Sequence, residues 1–229
     1  MIDLRKPDFK AAIFDLDGTL LDSMSFWNRI DKIFLAKRGI HEVPEDYLLA
    51  IAHLGAEETA QYTIGRFGLT ETPEEMMGEW HDEAVRFYTN DVRLKDGALE
   101  YLEYLHTHGV KLAIATASED ALFMPAVKRL GLDRFFSAYA RVSEVPRKKD
   151  FPDVYELACQ RLGTDKADTV VFEDIYTAVC GAKSGGFRTV AVYDETSLRD
   201  IDNIRRTADV FIYSFRDALQ ISTDDALRA

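Results

Sequence analysis

The stretch Phe9-Lys10-Ala11-Ala12-Ile13-Phe14-Asp15-Leu16-Asp17-Gly18-Thr19 decides the fold. A nearly continuous apolar run of this length fits a strand covered on both faces, as in a parallel sheet. Two acids and a Gly-Thr turn follow at once. Strand alternation points Asp15 and Asp17 to the same side. Two like charges that close are costly unless a cation neutralises them. The pair therefore marks a metal-dependent site at the carboxyl edge of a sheet.

The next apolar runs lie far downstream, at 110–115, 169–172, 189–193 and 210–213, with a weaker candidate at 135–142. Helical patterns separate them, over 98–108, 121–130, 154–162 and 176–184. Strands alternating with helices read as βαβ units around a parallel sheet. From Leu21 to about Val92 every strong pattern is helical. Phe26, Trp27, Ile30, Ile33 and Phe34 repeat at helical spacing, with Gly39 as a stop. Pro44 opens a second helix and 57–67 forms a third, closed by Gly68. Thr72-Pro73-Glu74-Glu75 is a capping box for a fourth. The expected division is a core domain of residues 1–20 and 93–229, interrupted by a helical domain of residues 21–92. Its expected hinges are 20–23 and 90–96. Ligands of open α/β sheets bind outside the carboxyl ends of the strands, so an insert that leaves there and returns there is placed to be a lid.

Composition excludes several classes. The net charge of −12 argues against a nucleic-acid or anionic-membrane binder. It says little about a small anionic substrate, which feels only its pocket. No run is long enough to span a membrane, and the first residues lack the apolar stretch of a signal peptide. Cys159 and Cys180 sit in helical patterns outside any C-x-x-C and read as reduced thiols of a cytoplasmic protein. The five histidines show no metal-ligand spacing; His53 is the one placed where it could reach a cleft. Nothing in the sequence speaks to oligomeric state.

Three further elements carry chemistry. Val170-Val171-Phe172-Glu173-Asp174 is a second buried-strand pattern ending in two acids. Alone it could be a solvated strand end or a helix cap. Combined with Asp15 and Asp17 it supplies the hard oxygen ligands that Mg²⁺ prefers. The strand at 111–115 runs into Thr116-Ala117-Ser118. A hydroxyl and backbone N–H groups there make an anion site, although a plain N-cap at Ser118 explains the same residues. Arg147-Lys148-Lys149 is a basic run before Pro152. One lysine can turn inward to neutralise phosphate and acids; Lys149 has the best spacing, and the other two read as solvated.

In this order, Asp15-x-Asp17-Gly-Thr, Thr116, Lys149 and Glu173-Asp174 resemble the four motifs of the haloacid dehalogenase superfamily. The helical insert resembles its four-helix cap, and the nearest subgroup is that of phosphoglycolate phosphatase-like enzymes and β-phosphoglucomutase. The resemblance implies a Rossmann-like parallel sheet with an inserted four-helix-bundle cap. It implies hydrolysis of a small phosphate monoester with Mg²⁺. Asp15 would be nucleophile and metal ligand. Asp17 would be acid/base through its side chain and metal ligand through its backbone carbonyl. Asp174 would be a ligand, with Glu173 near or on the metal. Thr116, Ala117 and Lys149 would hold the phosphoryl group. Asp17 favours phosphoryl transfer over dehalogenation, because a departing halide needs no proton. Against the family pattern, Lys149 is followed by Asp150 rather than Pro, Ile175 replaces a Ser and Ala178 a Gly. Ala56 stands where mutase-like caps carry a phosphate-binding Arg, which argues against the rival reading, a sugar-phosphate mutase. A second rival is a non-catalytic regulator that binds a phosphorylated ligand. The substrate, a small phosphorylated metabolite, is not named by the sequence.

Overall fold

The computed structural model describes residues 2–27, 29–51 and 54–220. Six strands form one sheet: β1 (Ala11–Phe14), β2 (Lys111–Thr116), β3 (Phe136–Arg141), β4 (Thr169–Glu173), β5 (Arg188–Val192) and β6 (Val210–Ile212). All pairings are parallel, in the order β3-β2-β1-β4-β5-β6. Central β1 is wholly buried and pairs in register with Lys111–Ile114 on one side and Thr169–Phe172 on the other. The order reverses direction at β1, so the crevice between β1 and β4 is the switch point where such sheets bind ligands.

The two faces of the sheet are built from different residues. One carries Ala11, Ile13, Ala113, Ala115, Ala138, Ala140 and Val171, on which the helix Asp153–Leu162 packs. Small side chains let that helix lie close. The other face is aromatic: Phe14 stacks on Phe172 at 4.4 Å, with Phe215 at 6.2 Å from Phe14 and Tyr101 at 5.8 Å from Phe172. At 25 cal/mol per Å², burying each such ring contributes about 2–3 kcal/mol. The weak candidate at 135–142 is a genuine strand, on the edge of the sheet.

Residues Ser25–Asp91 make a second compact unit, and the rest of the described chain makes the first. The second is helical: it takes all but the first residue of Met24–Trp27, then Ile30–Ala36, Glu45–Ile51, Ala56–Phe67 and Pro73–Asn90. The single first helix expected from the periodicity is thus two. Inside the unit Phe26 stacks on Phe87 at 4.2 Å and Trp80 meets Phe34 at 6.3 Å. Thr72 accepts from Glu75 N–H at 3.2 Å, while Glu75 accepts from Thr72 N–H at 2.8 Å, which completes the capping box. His53 lies outside the described residues.

The first unit joins its two crossing segments to each other. Asp22 N–H donates to Arg93 C=O at 2.9 Å, Lys95 N–H donates to Leu20 C=O at 2.9 Å, and Leu21 bridges Leu94 antiparallel. Among the described residues no helix is long and apolar enough to cross a membrane. Both cysteines are free thiols.

Candidate active site

The chain leaves β1 at Asp15, whose N–H still bonds Phe172 C=O at 3.0 Å. It then turns through Gly18, at φ +87°, a left-handed conformation that favours glycine. Leu20 and Leu21 N–H groups both return to Leu16 C=O, at 3.0 and 2.7 Å. The strand does not continue to Asp17, so the expected alternation breaks down. Asp15 and Asp17 engage different partners.

Asp15 faces Lys149. The lysine Nζ donates to Asp15 Oδ1 and, at 2.6 Å, to Glu173 Oε1. All three residues are buried. Burial alone would lower the lysine's pKa, but the two carboxylates outweigh it and hold the ammonium above its ordinary range. The loop that delivers Lys149 is set by Gly181, on the helix Tyr176–Ser184. A Cβ on that glycine would lie 2.0 Å from Lys149 C=O. Arg147 is exposed, as expected, and on the surface it pairs with Asp153 at 2.8 Å and lies over the Phe151 ring.

Glu173 ends β4 and Asp174 follows it. Asp15, Glu173 and Asp174 each offer a carboxylate oxygen within 4.8 Å of the others. Thr19 Oγ1 donates to Asp174 Oδ1 at 3.0 Å. The buried Oδ2 of Asp174 has no hydrogen-bond partner. A Cβ on Gly18 would sit 2.2 Å from that oxygen, so the glycine keeps the space open. Burial, first, and then repulsion from Asp15 and Glu173 push Asp174 well above the carboxylate range. Burial likewise pushes Asp15 up to about 7, against the pull of Lys149. An orphaned buried oxygen among hard donors that repel one another suits a divalent cation.

Asp17 is gripped by two hydroxyls. Ser23 Oγ donates to Oδ1 and Ser118 Oγ to Oδ2, each at 2.7 Å. Thr116 ends β2, buried, and its Oγ1 accepts the Ser118 N–H at 3.0 Å. The alternative reading of Ser118 as a helix cap does not hold: the helix Asp120–Arg129 is capped at Glu119, without a side-chain bond, and the serine hydroxyl donates to Asp17. Ala117 is exposed beside Thr116. β1, β2 and β4, with the loop before Asp153, thus bring all seven expected residues to one sheet edge.

Sequence reasoning overlooked four contributors. Ser23 stands six positions after Asp17, and Thr19 lies in the same turn. Tyr155, whose hydroxyl donates to Glu173 Oε1 at 2.8 Å, interrupts the apolar stripe Val154, Ala158, Cys159 and Leu162. A buried tyrosine needs a partner for its hydroxyl, and that signal was available. Asp194, paired with Lys95 at 2.6 Å, follows β5 without any motif, and its charge adds to the repulsion on Asp174.

A family model described as haloacid dehalogenase-like hydrolase matches residues 12–192. The chain is 27% identical over 186 residues to a phosphorylated carbohydrates phosphatase of Thermotoga maritima, covering 79% of this chain and 83% of that protein. It is 28% identical over 196 residues to hexitol phosphatase A of Escherichia coli, covering 84% and 88%. The solved structure of CbbY from Rhodobacter sphaeroides with phosphate shares the fold at a TM-score of 0.71 and 21% identity, covering 93% of this chain and 100% of that one. With the parallel sheet, its acidic edge and a family match over most of its length, the chain belongs to the haloacid dehalogenase-like hydrolases.

Proposed function

We propose that this hydrolase is a phosphatase that cleaves a small phosphate monoester, a sugar or polyol phosphate, with Mg²⁺ as its cofactor. The observation that carries the reading is the placement of Asp15 against Lys149 at the mouth of the β1–β4 crevice, with Asp17 held separately by Ser23 and Ser118. The relatives named for phosphorylated carbohydrates and hexitols support the substrate class.

Asp15, Asp174 and the Asp17 backbone carbonyl would hold the cation, which supplies charge neutralisation for the nucleophile and the phosphoryl oxygens. The Asp15 carboxylate attacks phosphorus in line, and the P–O bond to the leaving alcohol breaks. Asp17 gives its proton to that departing oxygen. Water then attacks the aspartyl-phosphate while Asp17 takes a proton back. Inorganic phosphate leaves and Asp15 is regenerated. Thr116, with its hydroxyl, and the Ala117 N–H bind phosphoryl oxygens. Lys149 offsets the charge that gathers there.

The test is a phosphate-release screen over sugar, polyol and glycolytic phosphates, with Mg²⁺ and with chelator. Metal-dependent release of free phosphate is expected. Conversion of a hexose 1-phosphate to its 6-phosphate without net release would reject hydrolysis in favour of a mutase.

A further inference from the structure

Tyr155 brings into the acidic cluster a hydroxyl that the proposed reaction leaves unused. Its ring is fully buried beside Ala11, Ile13 and Val171, with Phe187 edge-on at 6.3 Å. Packing there needs only a ring, and phenylalanine would fill the same space. The hydroxyl donates to Glu173 Oε1 at 2.8 Å, the oxygen that also accepts from Lys149 at 2.6 Å. The other Glu173 oxygen accepts the Asp174 N–H at 3.3 Å. Lys149 in turn donates to Asp15. A buried relay therefore runs Tyr155, Glu173, Lys149, Asp15.

Lys149 divides one charge between two carboxylates. An ammonium is a compact point charge with three rotatable donors, so its position follows the stronger acceptor. A hydrogen bond from Tyr155 withdraws part of the Glu173 charge and fixes its orientation. Without that bond Glu173 pulls harder on the lysine, and Asp15 is less neutralised. We propose that Tyr155 is a positioning residue, whose hydroxyl holds Glu173 and thereby sets how much of the Lys149 charge reaches Asp15. The inference rests on the reading of Asp15 as nucleophile.

Tyr155→Phe keeps the ring and deletes the hydroxyl. Its kcat on p-nitrophenyl phosphate should fall about 10-fold, the scale of one hydrogen bond to a charged group, with KM within about twofold. An unchanged kcat would mean that the hydroxyl is merely accommodated, and would overturn the assignment. A second readout uses no substrate: Mn²⁺ is titrated into the protein by calorimetry. A less neutralised Asp15 attracts the cation more, so Tyr155→Phe should bind Mn²⁺ about 3-fold tighter or better. Unchanged or weaker binding also overturns the proposal. In a Glu173→Gln background the same substitution should leave Mn²⁺ affinity unmoved, because the hydroxyl acts through that carboxylate; a full effect there would sink it. If the wild type releases phosphate from nothing, the function proposed above fails, and the Mn²⁺ measurements still decide the role of Tyr155.

Discussion

Thr19 and Asp174, 155 positions apart in the chain, meet at the carboxyl edge of the sheet, where the threonine hydroxyl donates to one carboxylate oxygen at 3.0 Å. The other oxygen stays buried and unpartnered. Asp174 titrates above its unfolded value, so its charged form opposes folding at neutral pH. Without metal, Asp174→Asn should therefore melt above the wild type. Saturating Mg²⁺ should reverse the order, because only the wild type gains binding energy, about 2.7 kcal/mol at a hundredfold excess over Kd. Gly18→Ala places a methyl 2.2 Å from that oxygen at a positive φ and should abolish the Mg²⁺ shift. Thermal melts with Mg²⁺ and with EDTA check all three.

Asp15→Asn should remove phosphatase turnover by three orders of magnitude or more, since the amide cannot form the phosphoenzyme. Folding should survive. Burial raises the Asp15 pKa to about 7, so losing the carboxyl costs the metal-free protein little. Steady-state rates and a circular dichroism melt measure the two effects separately. Residual metal-dependent turnover at more than a hundredth of wild type would reject the assigned nucleophile.

The two serines on Asp17 predict a dependence on the leaving group. Ser23→Ala and Ser118→Ala each free one carboxylate oxygen from a 2.7 Å bond. An alkyl alcohol needs its proton on departure, whereas nitrophenolate leaves readily without one. Losses in kcat/KM should be about 10-fold for an alkyl phosphate and smaller for p-nitrophenyl phosphate; general acid–base catalysis as a whole spans about 10²–10⁴. Equal losses on both substrates would show that the hydroxyls do not serve proton transfer.

Lys95, half-buried, pairs with the buried Asp194 at 2.6 Å, and Thr196 adds hydrogen bonds to the same carboxylate. Burial works against the charge, but these donors hold Asp194 below the usual carboxylate range. A depressed folded pKa gives stability that is present above the unfolded value and lost as pH falls through the folded one. Lys95→Met should destabilise by about 1–3 kcal/mol at pH 7, since the carboxylate loses its charged partner but keeps the Thr196 donors. The gap to wild type should close below about pH 4. Urea titrations from pH 3 to 8 measure it.

Asp31 behaves in the opposite sense. It is half-buried in the helical unit, one of its oxygens lacks a partner, and desolvation pushes it up to about 6 against the help of Tyr47. A raised folded pKa gives stability that is full below the unfolded value and lost as pH rises to the folded one. Asp31→Asn should stabilise the protein at pH 7 by about 1–3 kcal/mol, the upper end discounted for solvent access. The gain should vanish near pH 4. Denaturation of the two proteins across that range would expose any error of sign.

The parallel sheet was legible because each strand is a short apolar run closed by a turn or an acid, and Ala11–Phe14 carries the pattern at its clearest. The acidic edge was legible because Asp15 and Glu173 occupy equivalent strand ends. What stayed hidden depends on side chains that converge from distant segments. Nothing in Ser118 distinguishes a helix cap from a partner of Asp17, since both need one hydroxyl before a helix. The break of the first inserted helix was hidden because Phe26, Ile30, Ile33 and Phe34 keep helical spacing across it. The pair Lys95–Asp194 joins two unremarkable loops, and only the tertiary fold brings them together.

The antiparallel bridge between Leu21 and Leu94, with its flanking bonds from Asp22 and Lys95, has a consequence for how such a chain can change. The sheet meets its insertion through a neck of two crossing segments, 20–22 and 93–95, already tied to each other. The ends of the insertion are held together by the sheet unit itself, and for a flexible loop closed in this way each doubling of length costs only about 0.6 kcal/mol. The neck is a grafting point. Helices beyond it can be lengthened, exchanged or cut back to a short turn while Asp15 and Asp174 keep their places at the edge of the sheet, because the bonds that close the neck belong to the unit that holds them.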